Sequence, residues 1–148
     1  METHLREYFY KIDRQGRIFH DGTRLIDPSF LDFFLKRLVK NHTGLHPEFH
    51  YVSPCGKEMN FVQAETYPII FFKMENARLF YSPGLHVEFQ PESMRLDKYG
   101  NLIHPGPREL WGGFHLVLLS DFTKNLEEGT PCWKFTWEKK EYFLPKDR

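Results

Sequence analysis

The chain has 148 residues, 41% of them hydrophobic, and its 20 lysines and arginines are balanced by 20 acidic residues. This length and composition predict one folded domain and exclude an intrinsically disordered chain. A formal net charge of zero provides no overall field that attracts nucleic acid or a membrane surface, and no apolar run is long enough to span a bilayer. We therefore expect neither nucleic acid nor a membrane as a partner.

The N-terminus and the cysteines predict the compartment. Residues 1–7, Met-Glu-Thr-His-Leu-Arg-Glu, contain no apolar segment of the kind that a signal peptide needs. Cys55 and Cys132 are the two cysteines, and they form no Cys-x-x-Cys pair. We expect a cytoplasmic protein with reduced thiols.

The N-terminal part of the chain predicts a hairpin. Tyr8, Tyr10 and Ile12 alternate along the first run and fall on one face of a strand. Residues 13–16, Asp-Arg-Gln-Gly, have the composition of a tight turn, and residues 17–20 return as the second strand.

Residues 28–41 form the clearest predicted helix. Asp27 is a favourable N-cap, and Pro28 is tolerated in the first turn because its missing N–H needs no partner there. Phe30, Phe34 and Leu38 recur at a spacing of four, with charged residues on the opposite side. The helix is expected to bury this apolar stripe against a sheet.

The rest of the chain predicts short strands joined by tight turns. Residues 114–120 are compatible with helix or strand. The pattern indicates an α+β fold with a mainly antiparallel sheet rather than βαβ units. We expect a single compact domain over 1–148, with an α+β lobe at 1–65 and a β-rich, partly closed lobe at 66–148. The other predicted strands are 49–52, 59–64, 67–73, 77–81, 85–89, 102–103, 133–137 and 142–144.

The segment 53–61, Ser-Pro-Cys-Gly-Lys-Glu-Met-Asn-Phe, is the most promising site region. It lies between two predicted strands and contains Cys55, which becomes a nucleophile only when a nearby imidazole or helix N-terminus lowers the thiol pKa. His20, His50 and His104 are the candidate partners. The alternative is that residues 53–56 form only a β-turn, with Pro54 at its second position.

Cys55 is also a candidate ligand contact, and further candidate ligand-binding residues lie in this segment and elsewhere in the chain. Glu58 and Asn60 share one face of a regular strand, which either faces solvent or lines a polar pocket. His20 and Asp21, at the end of the first hairpin, allow the same two interpretations. His104 precedes Pro-Gly-Pro, and this rigid loop would hold its imidazole in one orientation. We predict that His104 lies near Cys55 at a shared pocket.

Metal and cofactor sites are not predicted. His42, His46 and His50 are spaced like ligands on one helix face, but Gly44 and Pro47 interrupt any such helix. The chain also lacks the glycine-rich dinucleotide, P-loop, zinc-protease and hydrolase motifs. We expect no metal and no cofactor.

Two resemblances follow from particular residues. One pattern consists of Arg6-Glu7-Tyr8-Phe9-Tyr10, Asp13, Gly16, Phe33-Phe34, Arg37-Leu38, Asn41, Thr43-Gly44, Ser53, Cys55-Gly56, Glu58, Asn60-Phe61, Pro68, Phe71, Gly100, Leu102, His104-Pro105 and Pro107. It resembles an uncharacterised protein family that has bacterial members and animal members with mitochondrial-type leaders. Residues 19–22, 52–54 and 143–145 are similar to a bacterial family of a domain of unknown function. That second resemblance implies an α+β lobe, a small barrel-like β lobe and a ligand-binding or signalling role.

The sequence favours a soluble module that binds a small molecule between its two lobes, with no reaction assigned. One alternative is an enzyme that uses Cys55 with a histidine. The other is a structural or protein-interaction domain, and the sequence leaves assembly into a homo-oligomer open.

Overall fold

The computed structural model describes residues 5–147, so the outer ends of the predicted 1–148 domain, residues 1–4 and 148, lie outside the described range. The strands are β1 Arg6–Ile12, β2 Ile18–His20, β3 Thr23–Leu25, β4 Val39–Lys40, β5 Tyr51–Cys55, β6 Glu58–Ala64, β7 Ile69–Phe71, β8 Lys73–Glu75, β9 Arg78–Ser82, β10 Leu85–Glu88, β11 Arg95–Leu96, β12 Leu102–Pro105, β13 Trp111–Phe114, β14 Leu126–Glu127, β15 Trp133–Trp137 and β16 Lys140–Leu144. The helices are α1 Pro28–Lys36 and α2 Leu116–Thr123, with 3₁₀ turns at Pro91–Ser93 and Pro107–Glu109.

The N-terminal strands form one six-stranded sheet in the order β3-β2-β1-β6-β5-β4. Hairpins connect β1 to β2 and β5 to β6, so these neighbours pair antiparallel. The central pair is different, because β1 and β6 run parallel, with Tyr8 beside Asn60 and Tyr10 beside Val62. A parallel pair needs a long connection, and here that connection contains α1 and the four strands β2 to β5.

The C-terminal strands form three smaller sheets, with orders β10-β9-β8, β11-β12-β13-β7 and β14-β15-β16. Their pairs are antiparallel except that β7 and β13 are parallel. The α+β class is therefore confirmed, whereas the mainly antiparallel prediction missed two parallel pairs. The open question over residues 114–120 has a mixed answer, since β13 ends at Phe114 and α2 begins at Leu116.

Helix α1 begins where the sequence predicts and ends earlier. Asp27 caps it by accepting a hydrogen bond from the Phe30 N–H at 2.9 Å. The predicted end near residue 41 is wrong, because the helix stops at Lys36 and Val39–Lys40 pairs with β5 instead. Leu38 lies after the end of the helix and is still fully buried, so the apolar spacing of four extends beyond the helix itself. No helix of the described residues is both long and apolar enough to cross a membrane.

Two local predictions need correction. Pro54 was placed in the turn of the second hairpin, but it lies inside β5, and the turn consists of Gly56 and Lys57. Pro54 is not in a turn because the pairing of β5 with β6 continues as far as Cys55, which pairs with Glu58. Strand β3 was missed because Asp21-Gly22 was interpreted as the end of a hairpin, whereas it is a turn into a third strand.

The helix α1 covers one face of the six-stranded sheet. The Phe34 ring is fully buried and lies 4.8 Å from the Tyr10 ring, and the Phe34 carbonyl accepts a hydrogen bond from Ser53 Oγ at 2.7 Å. The predicted burial of Phe34 and Leu38 is confirmed, while Phe30 is only partly buried. This contact fixes which sheet face meets the helix.

The N-terminal and C-terminal sheets are held together by contacts from turns. Gly16, with φ of +82°, lies so close to Ile70 that an added Cβ would stand 2.9 Å from the Ile70 Cβ. Gln15 Oε1 accepts a hydrogen bond from the Leu116 N–H at the start of α2, at 3.1 Å. The turn after β1 therefore packs the first hairpin against the C-terminal part of the chain.

Candidate functional site

The hairpin of β5 and β6 places three predicted site residues on the helix-covered face. Cys55 is paired with Glu58, and Asn60 is paired with Ser53 in the same ladder. Alternation along each strand puts all four side chains on the face that α1 contacts through Ser53. Glu58 and Cys55 are partly exposed, whereas Asn60 and Ser53 are buried. The partly exposed part of this face, at Cys55 and Glu58, therefore lies next to the part that α1 covers.

The hairpin of β1 and β2 brings two more predicted residues to the same place. His20 is paired with Tyr10, and their rings stack at 4.7 Å between centroids. The His20 ring also meets the Tyr8 ring edge to face at 5.9 Å, and its Nε2 is 3.4 Å from Asp21 Oδ2. The parallel pairing of β1 with β6 brings the two hairpins side by side. We call this group the polar cluster; its members are Tyr8, Tyr10, His20, Asp21, Cys55, Glu58 and Asn60.

Asn60 has an unusual hydrogen-bond balance. Its Nδ2 donates to the Ser53 carbonyl at 2.9 Å and to Cys55 Sγ at 3.5 Å. Its Oδ1 is buried and accepts no hydrogen bond from any described residue, although the side chain is only 3% exposed. The two donated bonds fix the amide orientation, because a flipped amide would place Oδ1 against the Ser53 carbonyl oxygen. The free oxygen therefore lies on the side of the amide opposite to these two bonds, and the neighbour of Asn60 on the other strand, β1, is Tyr8.

The pKa of Tyr10 depends on burial and on the charges of the neighbouring side chains. Burial raises the pKa of its phenol above the ordinary value, and nearby Glu58, Cys55, Tyr8 and Asp21 raise it further. Each of these neighbours disfavours a second negative charge when it is itself ionised. The phenol therefore stays protonated, and the surroundings of Tyr10 are rich in groups that carry or accept negative charge.

The Cys55 thiol contacts Ser53 and Asn60 rather than an imidazole. Its Sγ lies 3.9 Å from Ser53 Oγ and 3.7 Å from the Ser53 carbonyl, to which it donates. Among the hydrogen bonds of residues 5–147, none joins Cys55 to a histidine. The enzyme alternative therefore gains no nucleophile–base pair from this geometry.

His104 is the one predicted site residue that the structure does not bring to the polar cluster. It lies in β12, in a different sheet, and is 1% exposed. The Nδ1–H donates to the Pro105 carbonyl at 2.7 Å, and Nε2 accepts the Gln90 N–H at 2.9 Å. Its ring packs between Phe71 and Phe89, and burial lowers its pKa to about 4. His104 is a neutral core residue here, with no contact to Cys55.

The histidines of the 42–50 segment do not converge. His46 Nε2 lies 2.9 Å from Glu7 Oε2, and its ring packs against Phe9 and Phe61. His42 and His50 are exposed. Within residues 5–147, no group of three or more histidine, cysteine or acidic side chains has an arrangement that could hold a metal ion.

The sequence predicts a ligand between two lobes, and a cleft lies between the first hairpin and the C-terminal sheets, but none of its lining residues was named as a site residue. Its volume is about 550 Å³. The turn after β1 contributes Arg14 and Gln15, the helix α2 contributes Leu116 and Leu119, and the segment before β15 contributes Cys132. Most of the remaining wall is apolar; it includes Tyr67, Ile70, Leu96, Leu102, Phe114, Leu126, Trp133 and Leu144.

One wall of this cleft is fixed by a buried carboxylate. The Tyr67 hydroxyl donates to Asp97 Oδ2 at 2.7 Å, and Asp97 also accepts hydrogen bonds from the Tyr99 and Asn101 backbone N–H groups, both at 2.9 Å. Burial alone would raise the Asp97 pKa, but these hydrogen bonds outweigh it and lower the pKa. The Tyr67 pKa is raised by burial and by the same bond. No local sequence signal predicts this bond, because Tyr67 and Asp97 lie 30 residues apart.

Comparisons with known proteins agree with the fold and place the chain in a family. A DUF1285 family protein from Shewanella baltica OS155 has 21% identity and a TM-score of 0.61, with 79% of this chain and 91% of that chain covered. A DUF1285 family protein from Silicibacter pomeroyi DSS-3 has 12% identity and a TM-score of 0.67, with 95% and 82% covered. At these identities the likeness is one of fold. The family model of DUF4505, a domain of unknown function, matches residues 1–147, and the chain belongs to that family.

Proposed function

We propose that the protein is a small-ligand-binding module whose ligand occupies the cleft between an N-terminal lobe, residues 1–65, and a C-terminal lobe, residues 66–148. The observation that carries this proposal is the cleft of about 550 Å³, whose wall is largely apolar. Sites for small molecules have volumes of roughly 300–1,000 Å³ and are lined mainly by hydrophobic and aromatic side chains. Residues from both lobes contribute to this wall, as they do at many sites between lobes.

The lining also favours a particular ligand chemistry. The charged residues of the cleft wall are Arg14 and Lys146, both basic, and Arg14 is already paired with Glu65 at 3.0 Å. Asn101 and Thr123 add hydrogen-bonding groups. A mainly apolar molecule with an anionic group suits this combination, because its charge would meet Lys146 at the wall.

The cleft wall is rigid enough to bind a ligand without rearrangement. Asp97 holds Tyr67 and the turn at 97–101, and Gln15 holds the start of α2. A preformed site loses less conformational entropy when its ligand binds. The cytoplasmic location is part of this proposal as well, and the free thiols of Cys55 and Cys132 are compatible with a reducing compartment.

The test uses anilinonaphthalene sulfonate, a fluorescent, apolar anion. Leu116 lines the cleft and is 64% exposed, so Leu116→Glu introduces a negative charge there at little risk to folding. Val117→Glu is the matched control, because Val117 is the next residue of α2, is 65% exposed and is not part of the cleft wall. We expect saturable binding to the wild-type chain and at least about tenfold weaker binding to Leu116→Glu.

The control decides whether the cleft is the binding place. Val117→Glu should bind the probe as the wild-type chain does. Absence of saturable binding to the wild-type chain overturns the proposal. So does an affinity that falls equally in the two variants, since the probe then responds to charge on α2 rather than to the cleft.

A further inference from the structure

We propose that the polar cluster is a second binding site, separate from the cleft, and that it takes a small organic cation with N–H groups, such as a protonated primary amine or a guanidinium group. The cluster lies at the exposed end of the helix-covered face, where Tyr8, Cys55 and Glu58 are partly accessible. None of its members lines the cleft of about 550 Å³. The two proposals therefore concern different surfaces.

The first argument is the free oxygen of Asn60. A buried polar atom without a partner costs about 1–3 kcal/mol, and such atoms are rare in folded proteins. Asn60 Oδ1 is such an atom, and its amide is held in place by Ser53 and Cys55. Because Oδ1 can only accept a hydrogen bond, the partner that it lacks is a donor. A ligand with an N–H group provides one.

The second argument is that the neighbouring side chains also offer acceptors. Glu58 and Asp21 contribute carboxylate oxygens, and both side chains are accessible to solvent. The Nδ1–H of His20 donates to the Phe9 carbonyl at 2.9 Å, which holds the ring beside Asp21, 3.4 Å from Nε2 to Oδ2. The cluster thus combines two carboxylates and an amide oxygen, all of which accept hydrogen bonds from donors.

The aromatic rings suit the same ligand class. The Tyr8 ring is partly exposed beside His20, and the face of a tyrosine ring attracts a cation, whereas the Tyr10 ring is buried between His20 and Phe34. The raised pKa of Tyr10, caused by burial and then by Glu58, Cys55, Tyr8 and Asp21, points to the same negative potential. An anion would be repelled by these groups, so the cluster selects for positive charge.

One side chain of the protein, Arg6, already places a guanidinium group beside the cluster. The Arg6 guanidinium lies with one terminal nitrogen 3.3 Å from Glu58 Oε1, at the outer edge of the cluster. The Arg6 side chain is 66% exposed, so this ion pair is weak and easily displaced. A free cation would compete with Arg6 for Glu58. Removal of the Arg6 charge should therefore tighten binding, which a purely structural role for Arg6 would not explain.

The test follows backbone amide NMR shifts of the full chain during titration with methylguanidinium chloride and with ethylammonium chloride. Tetramethylammonium chloride, a cation without N–H groups, and sodium acetate are the matched probes. We expect saturable shifts at residues 8, 20, 55, 58 and 60 with the two N–H cations. Tetramethylammonium should bind at least about tenfold more weakly.

Variants separate the cluster from general surface charge. Glu58→Gln should weaken methylguanidinium binding at least about tenfold, and Arg6→Gln should strengthen it several-fold. Glu88→Gln is the matched control, because Glu88 is also a strand residue paired with an exposed arginine, Arg78, at 3.7 Å. Its affinity should equal that of the wild-type chain. If Glu58→Gln fails to fold, Asp21→Asn takes its place with an expected loss of about threefold, since Asp21 is 86% exposed.

Three results would overturn the proposal. The first is an absence of saturable shifts at about 10 mM of either N–H cation. The second is equal binding of tetramethylammonium, which would exclude recognition through N–H groups. The third is an equal loss in Glu58→Gln and Glu88→Gln, which would assign the effect to net charge. None of these results bears on binding of the fluorescent anion in the cleft.

Discussion

Two buried polar side chains, His104 in the C-terminal part and Asn60 in the N-terminal sheet, differ in a way that burial does not reveal. His104 is 1% exposed and Asn60 is 3% exposed. Both ring nitrogens of His104 have backbone partners, whereas the oxygen of Asn60 has none among the described residues. A buried group whose hydrogen bonds are all made is explained by the fold. One with a missing partner requires an explanation that the hydrogen bonds of the fold do not provide.

The surroundings of the two residues differ in the same direction. Phe71 and Phe89 pack against the His104 ring and close it off from solvent. Asn60 lies beside the partly exposed Glu58 and Cys55 in the sheet. The aromatic region around His104 is therefore a core, and the region around Asn60 is the edge of a core that opens to solvent.

The largest expected effect comes from removing the aromatic ring that closes the inner end of the polar cluster. Phe34 is fully buried against Tyr10, so Phe34→Ala should lower the free energy of unfolding by about 3–5 kcal/mol through a cavity. Phe33→Ala is the control, because Phe33 is 45% exposed and its ring lies against the Arg37 guanidinium, and it should cost about 1 kcal/mol or less. Urea unfolding measures both. A loss below about 1 kcal/mol for Phe34→Ala would contradict the packing of α1 on this face.

The next effect tests whether His104 is buried and neutral. Its pKa in the folded chain is about 4, below the value of about 6.5 for an unfolded chain. Between these values the unfolded chain binds a proton that the folded chain does not, so stability falls as the pH falls from about 6.5 toward about 4. The loss attributable to His104 should approach about 3 kcal/mol.

The measurement compares the wild-type chain with His104→Gln. Urea unfolding at several pH values in this window gives the slope of stability against pH for each. The variant should be less stable at neutral pH, because a buried hydrogen bond to Gln90 or Pro105 is disturbed, but its slope should be shallower. Identical slopes would mean that His104 titrates at an ordinary pH and is not part of a closed core.

A third prediction concerns Arg108, which joins the C-terminal part of the chain to the end of α1. Arg108 donates from Nε to the Leu38 carbonyl and from a terminal nitrogen to the Leu35 carbonyl, both at 2.8 Å, at the end of α1. Arg108→Met should cost about 1–3 kcal/mol, because two carbonyls lose charged donors. Arg78→Met, which removes only an exposed ion pair with Glu88, should cost about 0–1 kcal/mol. Equal losses in thermal unfolding would show that Arg108 is dispensable to the junction.

Local patterns predicted the elements better than their partners. The alternation of Tyr8, Tyr10 and Ile12, the Asp27 cap and the closing hairpin at residues 133–144 were all visible in the sequence and are present. Each depends on interactions within a few residues. The two parallel pairs depend on strands that are far apart in sequence, and no local signal specifies them.

The candidate site shows the same division. The sequence named five residues of the polar cluster: His20, Asp21 and Cys55 because they lie at the end of a predicted strand or in a turn, and Glu58 and Asn60 because they share one face of a predicted strand. Their convergence was not predictable, since it requires β1 beside β6. His104 looked like a loop residue held by prolines, but Gln90 and two phenylalanines enclose it, and those contacts span many residues. A ligand between the two lobes was predicted, but the residues that line the cleft were not, because its wall comes from separate segments of the chain.

The smallest expected effect gives the sharpest test of the difference between Asn60 and His104. Asn60→Leu removes the unpaired oxygen together with the hydrogen bonds to the Ser53 carbonyl and to Cys55 Sγ, and the Cys55 thiol still donates to the Ser53 carbonyl. Sulfur is a weak acceptor, so the free energy of the lost bonds is similar to that regained by removing the unpaired oxygen, and the free energy of unfolding should change by less than about 1 kcal/mol. His104→Leu leaves the Gln90 N–H without its acceptor and should cost more than about 2 kcal/mol.

The outcome for Asn60→Leu also bears on binding. If Asn60 Oδ1 has no partner within the folded chain, the variant keeps its stability. It loses affinity for methylguanidinium, because the amide oxygen that would accept a hydrogen bond from the ligand has been removed. A loss of stability as large as that of His104→Leu would mean that an internal donor already satisfies Oδ1. Asn60 would then be a structural residue of the same kind as His104, and the strongest argument for a cation site would fail. Near-neutral stability combined with weaker cation binding is the result that a functional role requires.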